Sequence, residues 1–408
     1  MVRNRVSIVL LPLLLIALLL SAVGGCQSST EQGLSDWAGG VKVRTLCGKV
    51  EGKVSGEEVV VWKGIPYAKP PVGDLRWKAP RDPDPWKGTL EALDFGSEST
   101  QYGITGLIKG SEDCLYLNVW RPQSDDDDLP VYFWIHGGGN SMGAASEKGY
   151  DGANLARNCN MVVVSVNYRL GPLGWFTCEA LRSDDPGAEL DDSGNYGTLD
   201  LIQALTWVKD NIAAFGGDPG KVTVAGESAG AINIFSLLIS PLAEGLFHGA
   251  IAQSGMPIAL PVETGEESAR EVIVKLLVAD GTAASKTAAQ AYLGQMSDGD
   301  VSAYLRSKTA DQLLGAYEST GFGMISFPFI FQDGTVIPEA GFDVLETGEY
   351  PNKVPIIIGS NKEETKIFLW ATTLSPGNMF ENGDDLYQKV ASVTSDLWKV
   401  KGVDEIAR

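Results

Sequence analysis

Histidine is nearly missing from this chain: His136 and His248 are the two among 408 residues. Few side chains are therefore at hand to shuttle a proton near neutral pH. Cysteine is sparse as well, at five, and no spacing between them suits a metal site. Cys47, Cys114, Cys159 and Cys178 read as structural thiols or as one or two bridges. Basic residues are outnumbered, 32 Lys and Arg against 52 Asp and Glu, for a net charge of −20. No basic stripe stands out, which excludes nucleic acid as a partner. The longest apolar run, Ile8 to Leu20, is broken by Pro12 and is short for a membrane span. Internal repeats and long low-complexity segments are lacking. The run Asp125–Asp128 stands before an apolar segment and reads as a solvated loop rather than a metal site.

What is present is the composition of a globular protein, with 44% hydrophobic and 21% charged residues. The length suits one large α/β domain or two ordinary ones. Arg3 and Arg5 precede the apolar run, so residues 1–25 read as a signal peptide. The segment ends Val23-Gly24-Gly25-Cys26, which resembles a bacterial lipoprotein processing site. That resemblance implies cleavage before Cys26, lipidation of Cys26 and attachment to a membrane through several acyl chains. Residues 26–40 would be the tether and 41–408 the folded domain. A plain secretory signal, giving a secreted or periplasmic protein, is the alternative.

The stretch Val222 to Ile239 organises the rest. A β-branched strand runs into Gly226-Glu227-Ser228-Ala229-Gly230, and an apolar helix follows, ended by Ser240-Pro241. A serine at the tip of such a sharp turn is strained, and its hydroxyl is exposed above the sheet edge. The helix begins at the serine, so its free N–H groups and positive dipole end face that point. An ordinary strand–helix turn would show the same five residues, so the context decides.

Further strands are predicted over Leu115 to Arg121, Val131 to Ile135, Met161 to Val166, Ala250 to Gln253, Phe327 to Phe331 and Val354 to Ile358. Val41 to Tyr67 alternates around Ser55-Gly56 and predicts antiparallel hairpins. Pro66 to Trp86 reads as an ordered surface loop. Helices are predicted over Leu199 to Ile212, through much of Glu263 to Thr320, and over Asp384 to Arg408. Strands alternating with helices imply a mostly parallel sheet covered on both faces. His136-Gly137-Gly138-Gly139 follows a buried strand, where consecutive glycines let backbone N–H groups approach a ligand oxygen. With the N–H of Ala229 they would form an oxyanion hole for a tetrahedral intermediate.

These motifs, with Ser111-Glu112-Asp113-Cys114-Leu115-Tyr116-Leu117-Asn118-Val119, Asn167 to Gly171, and Asn195-Tyr196-Gly197 through Phe215-Gly216-Gly217-Asp218-Pro219, resemble the type B carboxylesterases. This is the carboxylesterase/cholinesterase branch of the α/β-hydrolases, and the likeness runs from about Val41 to the end. It implies an α/β-hydrolase fold with an N-terminal antiparallel hairpin and a helical insertion. It also implies Ser228 as nucleophile, and Gly138, Gly139 and Ala229 as oxyanion donors. Gly359-Ser360-Asn361-Lys362-Glu363-Glu364-Thr365 matches the family's acid motif except for its last position, which assigns the acid to Glu364 with Glu363 competing. Glu227 would be an electrostatic neighbour of the nucleophile.

The resemblance also implies a catalytic histidine after the acid, and none follows Glu364. His136 opens the glycine loop in a structural role, and His248 reads as a surface or strand-edge residue. The chain is therefore expected to be a C-terminally truncated esterase, with its base and last sheet strands absent and its activity impaired. The expected reaction is hydrolysis of a small carboxylic ester through a serine acyl-enzyme, with no cofactor and no metal. The alternative is a non-catalytic cholinesterase-like binding protein at the cell surface, which would need neither the serine nor the glycines. The short segment Thr100 to Gly110 has no tryptophan, which argues against a choline ester. The family's disulfide partner for Cys114 is missing near Ser99, so Cys114 is expected to be a free buried thiol.

Overall fold

The computed structural model describes residues 37, 39–56, 58–103, 105–183, 185–321 and 323–364. The expected signal peptide 1–25, Cys26, nearly all of the tether and the helix over 384–408 lie outside the described residues.

In chain order, β1 (Lys42–Thr45), β2 (Gly48–Glu51), β3 (Lys53–Ser55) and β4 (Val59–Pro66) form the predicted hairpins. They divide between two sheets: β1 and β2 join β5 (Thr89–Glu91), and β3 and β4 join the main sheet. The short hairpin β6 (Gln101–Tyr102) and β7 (Ile108–Lys109) follows. Next come β8 (Tyr116–Pro122), β9 (Leu129–Ile135), α1 (Ala153–Cys159), β10 (Val162–Val166), α2 (Gly171–Gly174) and α3 (Tyr196–Asn211). Then β11 (Gly217–Glu227), α4 (Ala229–Ile239) and β12 (Gly249–Gln253) complete the centre. The helical insertion is α5 (Val262–Ala279), α6 (Lys286–Leu293), α7 (Asp298–Arg306) and α8 (Ala310–Gly315). The hairpin β13 (Ser319–Gly321) and β14 (Met324–Ile325) and the strand β15 (Ile356–Gly359) end the described chain.

The main sheet has eight strands in the order β15-β12-β11-β9-β10-β8-β4-β3. Its first five are parallel, and β8, β4 and β3 are antiparallel. Alternate residues feed opposite faces. Val60, Trp62, Val162 and Val164 join the large core with residues of α3 and α4, whereas Val59, Val61, Trp120 and Val163 join Ala156 of α1 in a smaller cluster. Both faces are thus covered, as a parallel sheet requires. Every residue of β10 is buried, which explains its unbroken Val-rich sequence.

Two expectations are corrected. Phe327 to Phe331 is not a strand. Asn195 takes both main-chain groups of Phe331 with its side-chain amide, at 2.8 and 2.9 Å. Pro328 has no N–H to give, and Ile330 sits at φ 58, off the extended path. What remains is a single bridge from Phe331 to Leu260. Pro66 to Trp86 is not all surface: Trp77 is buried, donates to the Pro172 carbonyl at 2.8 Å and stacks on Phe176. No disulfide joins Cys47, Cys114, Cys159 and Cys178 to one another, and Cys159 alone of the four is exposed. Burial pushes the Cys114 thiol up to about 12.

Candidate active site

In a parallel sheet the carboxyl ends of neighbouring strands open onto one crevice. Four such ends meet here: β9 runs into the glycine loop, β11 into Ser228, β12 into Ser254, and β15 into the loop carrying Glu364.

Ser228 stands between β11 and α4 with φ 56 and ψ −120, a conformation L-residues rarely adopt. The surroundings hold it there. Its N–H donates to the Gln253 carbonyl at 2.8 Å, and its carbonyl accepts from Ile232 N in the first turn of α4. Helix and strand pass so close that a Cβ on Gly230 would lie 2.1 Å from the Ile135 carbonyl oxygen. This is the reason for glycine two positions after the serine. The serine itself is half-buried.

The glycine loop lies against this turn. A Cβ on Gly137 would come within 3.2 Å of Ser228 Cβ. Gly138 and Gly139 have φ 103 and 62, and the Gly138 carbonyl turns inward to accept from Ser141 N and Met142 N. Among the described residues, nothing accepts from the amides of Gly138, Gly139 or Ala229. Asn140 anchors the loop through reciprocal amide bonds with Asn233 of α4, at 2.9 and 3.3 Å, and its carbonyl accepts from Gly171 N. On the open side, Met324 of β14 places its sulfur 3.2 Å from where a Gly139 Cβ would stand. The Ile325 amide donates to Ser141 Oγ and ties that hairpin to the loop.

One carboxylate lies beside the serine, and a second acts on the first. Glu227 Oε2 and Ser228 Cβ flank the same point above Gly137, at 3.1 and 3.2 Å. The Glu227 carboxyl keeps solvent access, yet partial desolvation and then the charge of Glu364 push it above the usual range. Glu364 accepts from the Ser254 hydroxyl and from the Asn361 N–H at 2.5 Å each, and these bonds hold its carboxyl below the usual range. Glu363 beside it is exposed.

The two histidines are elsewhere. His136 is buried, its Nδ1 lies 2.9 Å from the Gly137 carbonyl oxygen, and its ring stacks on Tyr168 at 4.5 Å. Burial holds its pKa down at about 4. His248 is exposed at the opposite end of β12, where its Nδ1 accepts from Val222 N.

Ser254 and Tyr150 escaped the sequence reading. Ser254 sits at φ 55 directly after β12, with its N–H on the Gly359 carbonyl at 2.7 Å. Its signal was its place at the end of the strand following the nucleophile helix. Tyr150 lies 5.3 Å from Trp134, and its phenol is pushed up to about 12, first by burial and then by Glu147 and Glu227. Among the described residues, no group of three or more His, Cys, Asp or Glu could hold a metal ion. A separate polar cleft of about 460 Å³ is lined by Thr177, Arg182 and Asp333, and Ser228 does not border it.

A mostly parallel sheet that carries a strained serine between a strand and a helix, with a glycine loop beside it, defines the α/β-hydrolase class. The chain belongs to the carboxylesterase family, whose profile matches residues 40–399. It is 39% identical over 332 residues to the para-nitrobenzyl esterase of Bacillus subtilis (strain 168), covering 80% of this chain and 63% of that protein. It is 37% identical over 353 residues to mouse (Mus musculus) carboxylesterase 1E, covering 79% of this chain and 58% of that protein. Among solved structures, the Geobacillus stearothermophilus carboxylesterase EST55 at pH 6.2 superposes with a TM-score of 0.71 at 34% identity, over 90% of this chain and 71% of that one. The chain thus spans 58–63% of the length of these two curated relatives.

Proposed function

We propose that the protein is a carboxylic ester hydrolase working through an acyl-serine. Membership of the carboxylesterase family supports this reading. The observation that carries it is the placing of Ser228: a strained serine at the start of α4, against a glycine loop in which, among the described residues, nothing accepts from the amides of Gly138 and Gly139.

In the reaction Ser228 Oγ attacks the ester carbonyl and a general base takes its proton. The carbonyl oxygen becomes an oxyanion within reach of the amides of Gly138, Gly139 and Ala229. One such donor is worth roughly 3 kcal/mol in the transition state. The alcohol leaves, and water releases the acid by the same route. Glu364, oriented by Ser254 and Asn361, holds the base in its productive orientation and stabilises its charged form. Glu227 adds negative potential beside the serine. His136 is buried against Tyr168 and the Gly137 carbonyl, and His248 is exposed at the far end of β12, so neither is assigned as the base.

Residues 1–25 act as a lipoprotein-type signal peptide, Cys26 carries the lipid, residues 26–40 form the tether, and 41–408 belong to the hydrolase domain. On this reading the protein is exported and held at a bacterial membrane surface. The absence of tryptophan from the segment Thr100 to Gly110 turns the substrate away from choline esters.

The test is covalent labelling. Incubated with p-nitrophenyl butyrate and digested, the chain should carry a butyryl group on the peptide containing Ser228, and Ser228→Ala should abolish it. Butyrylation elsewhere at the same rate in both proteins would overturn the assignment.

A further inference from the structure

Three consecutive glycines do not hold a shape by themselves, because glycine loses more backbone freedom on ordering than any other residue. The leading end of the loop is fixed by β9 and by the Asn140–Asn233 pair. The trailing end reaches Gly143, and there a single side chain takes both main-chain groups. Gly143 N donates to Gln101 Oε1 at 2.8 Å, and Gln101 Nε2 donates to the Gly143 carbonyl at 2.9 Å. The primary amide thus pairs with Gly143 as a neighbouring strand would.

Gln101 is itself built in. It is 1% exposed, its Nε2 also donates to the Ser99 carbonyl at 3.0 Å, and its main chain pairs with Lys109 across the β6–β7 hairpin. Ser99 Oγ in turn accepts from Leu170 N, and Ser99 bridges to Ser111. Gly143, at φ 106, is docked back on the start of the loop: a Cβ there would lie 2.6 Å from His136 Nδ1 and 2.7 Å from the Gly137 carbonyl oxygen. A shift of Gly143 therefore moves Gly137, and with it the amides of Gly138 and Gly139.

We propose that Gln101 is a positioning residue for the oxyanion hole, setting the glycine loop through its two bonds to Gly143. Its bearing on catalysis rests on the reading of Gly138 and Gly139 as oxyanion donors, whereas the positioning itself does not. Removing the amide leaves a buried N–H and C=O without partners, and the loop is free to relax away from Ser228.

Two variants and two readouts test this. Gln101→Ala removes both bonds. Gln101→Glu keeps the size and the acceptor for Gly143 N, and loses the donor to Gly143 and Ser99. Hydrogen exchange of the peptide covering residues 137–143 should quicken roughly tenfold in Gln101→Ala and by a smaller factor in Gln101→Glu, with β11 and α4 unchanged. Butyrylation of Ser228 by p-nitrophenyl butyrate should slow on the order of tenfold in Gln101→Ala, with the loss in the maximal rate and not in the half-saturating ester concentration. Unchanged exchange in 137–143, or equal acceleration spread through β11 and α4, overturns the proposal. Faster exchange at 137–143 with an unaltered Ser228 rate overturns the oxyanion reading and leaves the positioning role standing.

Discussion

At the scale of single residues, the side chains that matter are set by neighbours far along the chain. His136 is the clearest case with a consequence for stability. Its ring is buried against Tyr168, and its pKa of about 4 lies below the 6.5 of a free histidine. Between those values the unfolded chain binds a proton that the folded chain refuses, so stability falls as pH falls. From pH 7.5 to pH 5 the loss from this one group is roughly 2 kcal/mol. Urea midpoints at the two pH values should therefore differ less in His136→Gln than in the parent; an equal difference would show that His136 is not the group responsible. The residues that define the class were legible in the sequence, because Ser228 and the glycines sit in contiguous motifs whose spacing has a mechanical reason. Ser254 and Gln101 were not, because their partners lie 110 and 42 residues away. Only the topology of the sheet brings those pairs together.

At the scale of elements, apolar alternation located the central strands, and the β-branched run of β10 announced a strand buried on both faces. Composition misled where a side chain replaced a strand partner. Phe327 to Phe331 has the residues of a strand, but Asn195 occupies the main chain of Phe331 and Ile330 turns the backbone away. The strand β15 shows the opposite situation. It pairs with β12 over Ile356–Gly359, close to the predicted Val354 to Ile358, because nothing there takes its main chain out of the ladder.

At the scale of the whole molecule, the sheet's order explains why one crevice collects the chemistry. β9, β11, β12 and β15 are parallel, so loops from four separate stretches open at the end of the sheet that carries Ser228. After β10 a buried pair, Arg169 and Asp200 at 2.7 Å, pins the loop to α3 with both carboxylate oxygens hydrogen-bonded. Losing either partner would leave a buried charge uncompensated and cost several kcal/mol. The bonds of Ser228 to Gln253 and Ile232 let the strained serine persist without collapsing to a relaxed turn. The central claim is the proposal that Ser228 is the nucleophile of an acyl-serine mechanism. The most direct measurement is p-nitrophenyl butyrate hydrolysis by the chain and by Ser228→Ala across a series of imidazole concentrations, with imidazole supplied from solution as a general base. The account predicts an imidazole-dependent rate in the parent chain above that of Ser228→Ala. Indistinguishable rates at every imidazole concentration would contradict it.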